Sequence, residues 1–330
     1  MPTAVQRRPP CRGPRRLVLI WAAVLWTAGP AHAAEAPATV ARFAATDLAA
    51  AVNGQLIYAI DEQQRTIVAI EEPLSEPRQR IAVAAAVDGS PRPVAIACIE
   101  TTTLVAVCMA GESWSLRTWR VKPDSPANPA EPLQTLSLGD APGSSDHVRI
   151  AVNASRDWLA VTGLPAPLPP VLRAAIAGIR IGKCTDRGCP HLEPDERPVA
   201  MAISPADELV LVSRPATSEA ARLSFHDLSG RRLLHLDLDL PAIQDLSFSR
   251  SDGGLWAVGG TSGSQTQPEG LWRIDAAFQD GHQVVAAVRV FACPSPRAVV
   301  CPSDKGTVVA TKDAIVRSAS SVANGKDLQP

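Results

Sequence analysis

The sequence has few aromatic residues, no excess charge of either sign and, beyond its first 33 residues, no long apolar run. Aromatic side chains make up only 4% of the 330 residues while 46% are hydrophobic, so Ala, Val, Leu and Ile must fill the core. The formal net charge is −1, which argues against nucleic acid and against an anionic membrane surface as partners. Beyond residue 33 no apolar run approaches the ~20 residues that span a bilayer, so we expect no membrane insertion there.

Motifs that specify a reaction are also missing. The chain has no Gly-x-Ser-x-Gly nucleophile elbow and no Cys-x-x-Cys-His haem-attachment motif. Ser144–His147 places a hydroxyl, a carboxylate and an imidazole together, but catalytic triads assemble from distant positions and a plain turn is the simpler interpretation. Cys184, Cys189 and His191 are residue types that suit zinc, yet their spacing is not the usual Cys-x-x-Cys and oxidising surroundings favour a disulfide. We therefore predict no catalytic residue, no metal and no cofactor.

The first 33 residues are expected to form a secretory signal peptide. Met1–Arg16 carries five arginines and no acid, Leu17–Ala28 is apolar, and Gly29–Ala33 ends in the small-x-small pattern that a signal peptidase accepts. A membrane anchor is the alternative interpretation. Cleavage between Ala33 and Ala34 would leave one domain, residues 34–330, exported by a bacterial-type pathway to the periplasm or the exterior.

Cysteine usage agrees with export, because six cysteines remain beyond Cys11 and an even number in an exported chain suggests disulfides. The candidate pairs are Cys98–Cys108, Cys184–Cys189 and Cys293–Cys301. The Asp-Arg-Gly turn between Cys184 and Cys189 can bring their β-carbons to the ~3.8 Å that a disulfide needs. Cys98 and Cys108 pair only by elimination, since a hairpin turn at Glu100–Thr103 would place Cys98 opposite a residue near Leu104. A reduced, buried role for these two remains open.

One sequence pattern repeats along the chain. Val148–Gly163 and Val199–Arg214 each have an apolar run, a polar turn and a second apolar run, and Ile96, Ile150 and Met201 occupy one position of the repeat. A period of ~50 residues made of short strands is typical of a β-propeller. The predicted inner strand pairs are Leu48–Ala59, Val94–Cys108, Val148–Thr162, Val199–Ser213, Leu246–Gly259 and Ala298–Thr311. A second strand pair follows each of them, so we predict an all-β propeller of six blades with four antiparallel strands each, seven blades being the alternative.

The last unit is short of a strand. Few residues follow Ile315–Ser318, whereas Thr39–Ala44 stands alone ahead of the first inner pair. If this N-terminal stretch supplied the missing strand, the ring would close and lose its exposed edge. The alternative is that both termini are frayed tails.

The hairpins resemble those of a known superfamily. Ser224–Arg231 (SFHDLSGR) resembles the strand–Asp–x–x–Gly–strand hairpin of WD-type and YVTN-type propellers, and Gln55–Asp61 followed by Thr66–Ile70 is similar to a strand pair of that group. No blade carries the full Gly-His…Trp-Asp signature. The resemblance implies an architecture that scaffolds, sensors, lactonases and quinoprotein-like subunits share, and it does not imply a single function.

Binding residues are expected in loops. The candidates are Asp146, His147, Trp114, Pro165, Pro167, Pro169 and Pro170. The four prolines belong to Gly163–Pro170, which favours an extended conformation that orders cheaply on binding.

The predicted inner strands offer few oxygen or imidazole groups to hold a metal, Glu100 and Asp157 being two of the few. We therefore expect an exported, non-enzymatic propeller that binds a protein or small ligand through its loops. The alternative is a propeller enzyme or enzyme subunit, such as a lactonase-like hydrolase or a quinoprotein-type redox accessory.

Overall fold

The structure is a computed structural model. It describes residues 37–71, 77–81, 91–122, 130–193, 196–215, 221–238, 242–249, 252–259, 269–279, 282–302 and 306–318. The expected signal peptide and its cleavage site at Ala33–Ala34 lie outside these residues. Within the described ranges, no helix has the length and apolar character needed to cross a membrane.

The described residues form six antiparallel sheets of four strands each and contain no helix. Strand β1 (Ala38–Ala41) precedes blade 1, which comprises β2 (Ala45–Ala50), β3 (Leu56–Asp61), β4 (Thr66–Glu71) and β5 (Pro77–Ile81). Blade 2 comprises β6 (Arg92–Glu100), β7 (Thr103–Ala110), β8 (Ser113–Val121) and β9 (Ala130–Asp140). Blade 3 comprises β10 (Arg149–Val152), β11 (Trp158–Thr162), β12 (Val171–Ala177) and β13 (Arg180–Ile181).

The remaining blades follow the same order. Blade 4 comprises β14 (Glu196–Ile203), β15 (Leu209–Pro215), β16 (Ala221–His226) and β17 (Arg232–Leu238). Blade 5 comprises β18 (Ile243–Phe248), β19 (Leu255–Gly259), β20 (Gly270–Gln279) and β21 (His282–Phe291). Blade 6 contains β22 (Pro296–Val300), β23 (Val308–Thr311) and β24 (Ile315–Arg317). The six predicted inner pairs match the first two strands of the six blades, so the predicted six-bladed architecture is confirmed.

Blade 6 is completed by the N-terminal strand. Its strand order is β1-β24-β23-β22, with Thr39 opposite Val316 and Ala38 opposite Arg317. The inner strands of successive blades contact one another around the ring, and β22 contacts β2 where the ring closes. The predicted closure by the N-terminal stretch is therefore confirmed, and it covers a strand edge that would otherwise be exposed.

The core lies between the blades. Strands β3 and β11 are buried along their whole length, because each face packs against a neighbouring blade. The side chains are mainly aliphatic, as the low aromatic content requires; Val105 and Val107 of blade 2, for example, share a cluster with Leu159 and Val161 of blade 3. Packing between successive blades is thus what holds the ring together.

The two ends of the ring differ. Each inner strand begins at one end, which we call the loop face; it carries residues 141–148 ahead of β10 and residues 163–170 between β11 and β12. The opposite end, the turn face, carries the tight turns between the first two strands, such as residues 153–157.

The structure does not show the cysteine pairing expected from the sequence, since none of the six cysteines of the described region forms a disulfide. In blade 2, Cys98 lies opposite Leu104 and Cys108 lies opposite Pro93. The register of β6 and β7 therefore keeps Cys98 and Cys108 apart, so the buried, reduced role left open for them is the one observed.

The other two pairs are not bonded either. Cys184 packs against the core between blades 2 and 3, whereas Cys189 packs against the core between blades 3 and 4. Cys293 and Cys301 share the cluster between blades 5 and 6, but the sulfur of Cys301 lies 3.8 Å from the hydroxyl oxygen of Thr307. Thus no disulfide cross-links the described part of the ring.

Candidate functional site

Three charged side chains lie at one position of the repeat on alternate blades. Asp47 on β2, Arg149 on β10 and Asp245 on β18 each directly precede the aligned apolar residue of the inner strand. The corresponding residues of blades 2, 4 and 6 are Ala95, Ala200 and Ala298. The three charged side chains, which we call the axial cluster, are at most 7% exposed and line an axial cavity of about 150 Å³.

Each carboxylate of the axial cluster ties its own blade to the next. Asp47 accepts hydrogen bonds from the N–H of Leu48 at 2.9 Å and from the N–H of Ile96 on β6 at 2.7 Å. Asp245 accepts one from the N–H of Val299 on β22 at 2.9 Å. The ladders of β2 with β3 and of β18 with β19 are irregular beside these residues, and such irregularities re-aim side chains.

Arg149 joins more distant parts of the ring. Its guanidinium donates to the backbone oxygen of Val148 at 2.8 Å and to that of Gln244 at 2.7 Å, and its Nε lies 3.4 Å from Oδ1 of Asp245. The positive charge thus lies against a buried carboxylate. Among the described residues, no group of three or more His, Cys, Asp or Glu side chains is placed to hold a metal ion.

Burial dominates the protonation of the axial cluster. Loss of solvation, reinforced by the negative charge of Asp245, raises the pKa of Asp47 to about 7, although the charge of Arg149 opposes the rise. Loss of solvation likewise raises the pKa of Asp245 to about 6, again opposed by Arg149. The cluster therefore takes up protons as the pH falls from neutral, well above the range in which exposed carboxylates titrate.

Sequence reasoning missed the axial cluster. It singled out Glu100 and Asp157, both of which are exposed near the turn face. One sequence signal could have revealed the cluster: in three of the six copies of the repeat, a charged residue directly precedes the aligned apolar residue of the inner strand. Only the ring shows that Asp47, Arg149 and Asp245 converge, because they are far apart in the chain.

The structure brings most of the predicted binding residues together at the loop face. Asp146 and His147 are exposed and directly precede β10. A β-carbon added to Gly163 would lie 2.0 Å from the backbone oxygen of His147, and one added to Gly143 would lie 2.5 Å from Cβ of Pro165. Only glycines allow these close approaches, so the loop 163–170 packs directly on the connection that carries His147.

The proline-rich loop presents its prolines while its leucines anchor it. Pro167 and Pro170 are exposed, whereas Pro165 and Pro169 are half-buried. The N–H of Leu168 donates to the backbone oxygen of Pro165 at 3.0 Å, and the Leu168 side chain packs against the core between blades 2 and 3. The loop 163–170 is therefore packed in a defined position on the loop face.

Trp114 does not belong to this surface, which corrects the sequence-based expectation. It lies on β8, is 1% exposed and packs in the core between blades 2 and 3. Its Nε1 donates to the backbone oxygen of Ala141 at 2.9 Å. Trp114 therefore anchors the connection that leads to β10 and is not available to a ligand.

Comparison with known proteins supports the architecture. No family model matches the chain and no curated protein matches its sequence, whereas 406 chains of solved structures match its fold. One of them is hydrazine synthase from Kuenenia stuttgartiensis, which is 14% identical, with a TM-score of 0.55 over 81% of this chain and 73% of that chain. At this identity the similarity shows the fold alone, and no family model assigns the chain to the WD or YVTN type. By its fold, the chain is a six-bladed β-propeller.

Proposed function

We propose that the chain is an exported, non-enzymatic propeller that binds a protein or ligand through its loop face. The observation that carries this proposal is the loop 163–170, which exposes Pro167 and Pro170 while Leu168 anchors it in the core. A loop held in one conformation before binding loses little entropy when a partner arrives. Exposed residues Asp146 and His147 lie beside it and add polar groups for specificity.

The axial cluster supports binding at the rim of the ring over chemistry at its centre. The carboxylates of Asp47 and Asp245 accept backbone N–H groups of neighbouring blades, and Arg149 donates to backbone oxygens. These interactions commit the polar atoms to holding blades together. A ligand at the axis would have to compete with these backbone partners.

The alternative proposal is a propeller enzyme or enzyme subunit, lactonase-like or of the quinoprotein-type redox kind. Two observations favour it: the axial cavity holds carboxyl groups whose pKa burial has raised, as active sites often do, and the matched fold includes a hydrazine synthase. Elemental analysis of the purified protein tests this alternative. Stoichiometric bound metal would favour it and would count against the binding proposal.

Export is part of the proposal and has its own test. The arginine-rich start, the apolar run and the small-residue end of residues 1–33 support removal of a signal peptide. Edman sequencing of the protein recovered from the periplasm or medium should begin at Ala34. A mature chain that still begins with Met1 would contradict export by cleavage.

Site-specific photo-crosslinking tests the binding face. A photoreactive amino acid is introduced at Pro167 on the loop face or, as a matched control, at the exposed Ala154 on the turn face. We expect a discrete crosslinked species in the exporting cell from position 167 and none from position 154. Crosslinks from position 154 alone, or from neither position, would overturn the proposal.

A further inference from the structure

The loop 163–170 lies alongside residues 139–147, which end β9 and lead to β10. A β-carbon added to Gly139 would lie 2.8 Å from Cδ2 of Leu168, so the start of one segment packs near the end of the other. The two close approaches described above, which also involve glycines, lie near the middle and at the opposite end. The two segments therefore pack antiparallel to each other, and we call them together the paired-loop surface.

Apolar groups are exposed on the paired-loop surface. Pro142 on one segment and Ala166, Pro167 and Pro170 on the other are exposed. Leu168 packs against the core between blades 2 and 3, so these exposed groups stand on a fixed support. Exposed apolar surface rimmed by polar residues is typical of sites where proteins bind partners.

Carboxylates flank the apolar groups at both ends. At one end, the hydroxyl of Ser113 donates to Oδ1 of Asp140 at 2.6 Å, and the N–H of Ala141 donates to the backbone oxygen of Glu112 at 2.9 Å. Glu112 and Asp140 are therefore neighbours, and both are exposed. At the other end, Asp146 is exposed as well.

The carboxylates of Glu112, Asp140 and Asp146 have no partner of opposite charge. None of the three forms an ion pair with another residue of the described ranges. By contrast, the exposed Glu62 on blade 1 pairs with Arg297 on blade 6. The three charges are thus open to a cationic group from outside the chain.

Two arginines reach the same connection but are engaged with other groups. Arg149 donates to the backbone oxygen of Asp146 at 3.2 Å, while its charge is paired with that of the buried Asp245. Arg92 is half-buried and donates to the hydroxyl of Ser145 at 3.4 Å. The charge that the paired-loop surface presents to solvent is therefore negative.

We propose that the paired-loop surface binds a basic segment of the partner protein, whose lysine or arginine side chains pair with Glu112, Asp140 and Asp146. Such side chains join an apolar stem to a charged head, so they can pack on the exposed prolines and still reach the carboxylates. A segment with several basic residues uses both ends of the surface at once, whereas a single cation uses only one. This inference rests on the proposed function, because it assumes that the loop face is where a partner binds.

A hexalysine peptide is the probe and hexaglutamine is its uncharged counterpart. Fluorescence anisotropy with the mature chain should show binding of hexalysine that is at least about tenfold tighter than that of hexaglutamine. Free lysine amide at about a hundredfold excess should displace little hexalysine, because it cannot use both ends of the surface. Equal binding of the two peptides, or full displacement by the free amide, would overturn the proposal.

A matched pair of variants locates the site. Asp140→Asn/Asp146→Asn should weaken hexalysine binding by about fivefold or more. The control Asp186→Asn/Asp313→Asn removes two exposed carboxylates on the outer side of blade 3 and on blade 6 and should leave binding unchanged. All four replacements keep the shape of the side chain, and thermal unfolding of each variant shows that the fold is retained. Equal losses in the two double variants would mean nonspecific attraction and would overturn the assignment.

His147 reports binding at the surface itself. Burial, followed by the positive charge of Arg149, lowers its pKa, so its imidazole is mostly uncharged at neutral pH and does not offset the carboxylates. A lysine side chain bound to Asp146 adds a positive charge nearby, and the pKa of His147 measured by NMR should fall further. An unchanged pKa at saturating hexalysine would place the peptide elsewhere and overturn the assignment.

The crosslinking test keeps the two proposals distinguishable. A partner that still crosslinks at position 167 while hexalysine fails to bind leaves the proposed function standing and overturns only the basic segment. Hexalysine binding with partner crosslinks confined to position 154 overturns the proposed function, and with it this role of the paired-loop surface.

Discussion

Arg149 and Asp245 connect two blades that are not neighbours. Nε of Arg149 lies 3.4 Å from Oδ1 of Asp245, and the same guanidinium donates to the backbone oxygen of Gln244 at 2.7 Å. Arg149 begins the inner strand of blade 3 and Asp245 lies on the inner strand of blade 5. The ion pair therefore links these two blades directly, near the axis, without involving blade 4. Both side chains are less than 10% exposed, and solvent screens the pair little.

Removing one partner should therefore be costly. Asp245→Ala leaves the charge of Arg149 buried without its carboxylate and frees the N–H of Val299, so we expect a loss of about 3–5 kcal/mol in the free energy of unfolding. Urea denaturation measures it. Asp186→Ala, at an exposed carboxylate, is the control and should change stability by less than about 0.5 kcal/mol. Similar values for both variants would contradict a bracing role.

The axial cluster should make stability fall as the pH rises. Burial raises the folded-state pKa of Asp47 from 3.8 to about 7 and that of Asp245 from 3.8 to about 6. The native state therefore binds more protons than the unfolded state between about pH 4 and pH 7. The stability that these groups contribute is complete below the unfolded pKa and is lost as the pH rises through the folded values.

Comparison of wild type with Asp47→Asn isolates this effect. The free energy of unfolding, measured in urea from pH 4.5 to pH 8, should fall more steeply in wild type, because the asparagine does not titrate. Titrating groups that are not coupled to Asp47, His147 and His226 among them, are common to both proteins and cancel in the difference, whereas the difference includes the change in Asp245 that loss of the Asp47 charge causes. Parallel pH profiles would show that Asp47 does not titrate in this window.

Gly163 should be essential for seating the proline-rich loop. Its φ is +75°, and an added β-carbon would lie 2.0 Å from the backbone oxygen of His147. Gly178 has a similar φ of +62° but open space around it. Gly178→Ala should therefore cost only the backbone strain of about 1–2 kcal/mol, and Gly163→Ala clearly more. Thermal unfolding measures the loss of stability in each variant. Equal losses would mean that the loop 163–170 shifts to accommodate the added β-carbon at little cost.

The N-terminal strand should stabilise the whole ring. A chain that begins at Arg42 lacks β1 and exposes the edge of β24, whereas a chain that begins at Pro37 keeps the strand. We expect the shorter chain to lose about 2 kcal/mol, or about 4–8 °C in Tm. It should also self-associate through the open edge, which size-exclusion chromatography detects. Identical behaviour of the two chains would show that closure is dispensable.

The cysteines should behave as buried thiols. Burial raises the pKa of Cys108, Cys293 and Cys301 to about 12, so little thiolate is present at pH 8. Maleimide should label the native mature chain slowly and label all six cysteines after unfolding without reductant. Mass spectrometry counts the labels. A count of four or fewer would show that a disulfide forms in the exported protein.

Much of the fold could be predicted because each copy of the repeat is encoded in a short, continuous stretch of the chain. Each inner pair, such as Val199–Ser213, carries its own apolar runs and its own polar turn within about fifteen residues. The missing strand of the last unit and the unpaired stretch Thr39–Ala44 could be matched from the sequence, because an unpaired strand edge is unfavourable.

The candidate binding surface was harder to predict from the sequence than the fold. Asp146, His147 and the four prolines were named from composition, but Trp114 was misplaced since its neighbours in the chain do not reveal that Ala141 accepts its indole N–H. The disulfides expected from the cysteine count are absent among the described residues, and in blade 2 the strand register, which the cysteine count does not reveal, keeps Cys98 and Cys108 apart.

The sequence by itself determined the repeated strand pairs and predicted six blades and the ring closure, because strands, turns and repeat length are encoded in short stretches of the chain. Only the tertiary structure decided that Asp47, Arg149 and Asp245 converge at the axis. Those residues come from different blades, and the closed ring of blades brings them within reach of one another.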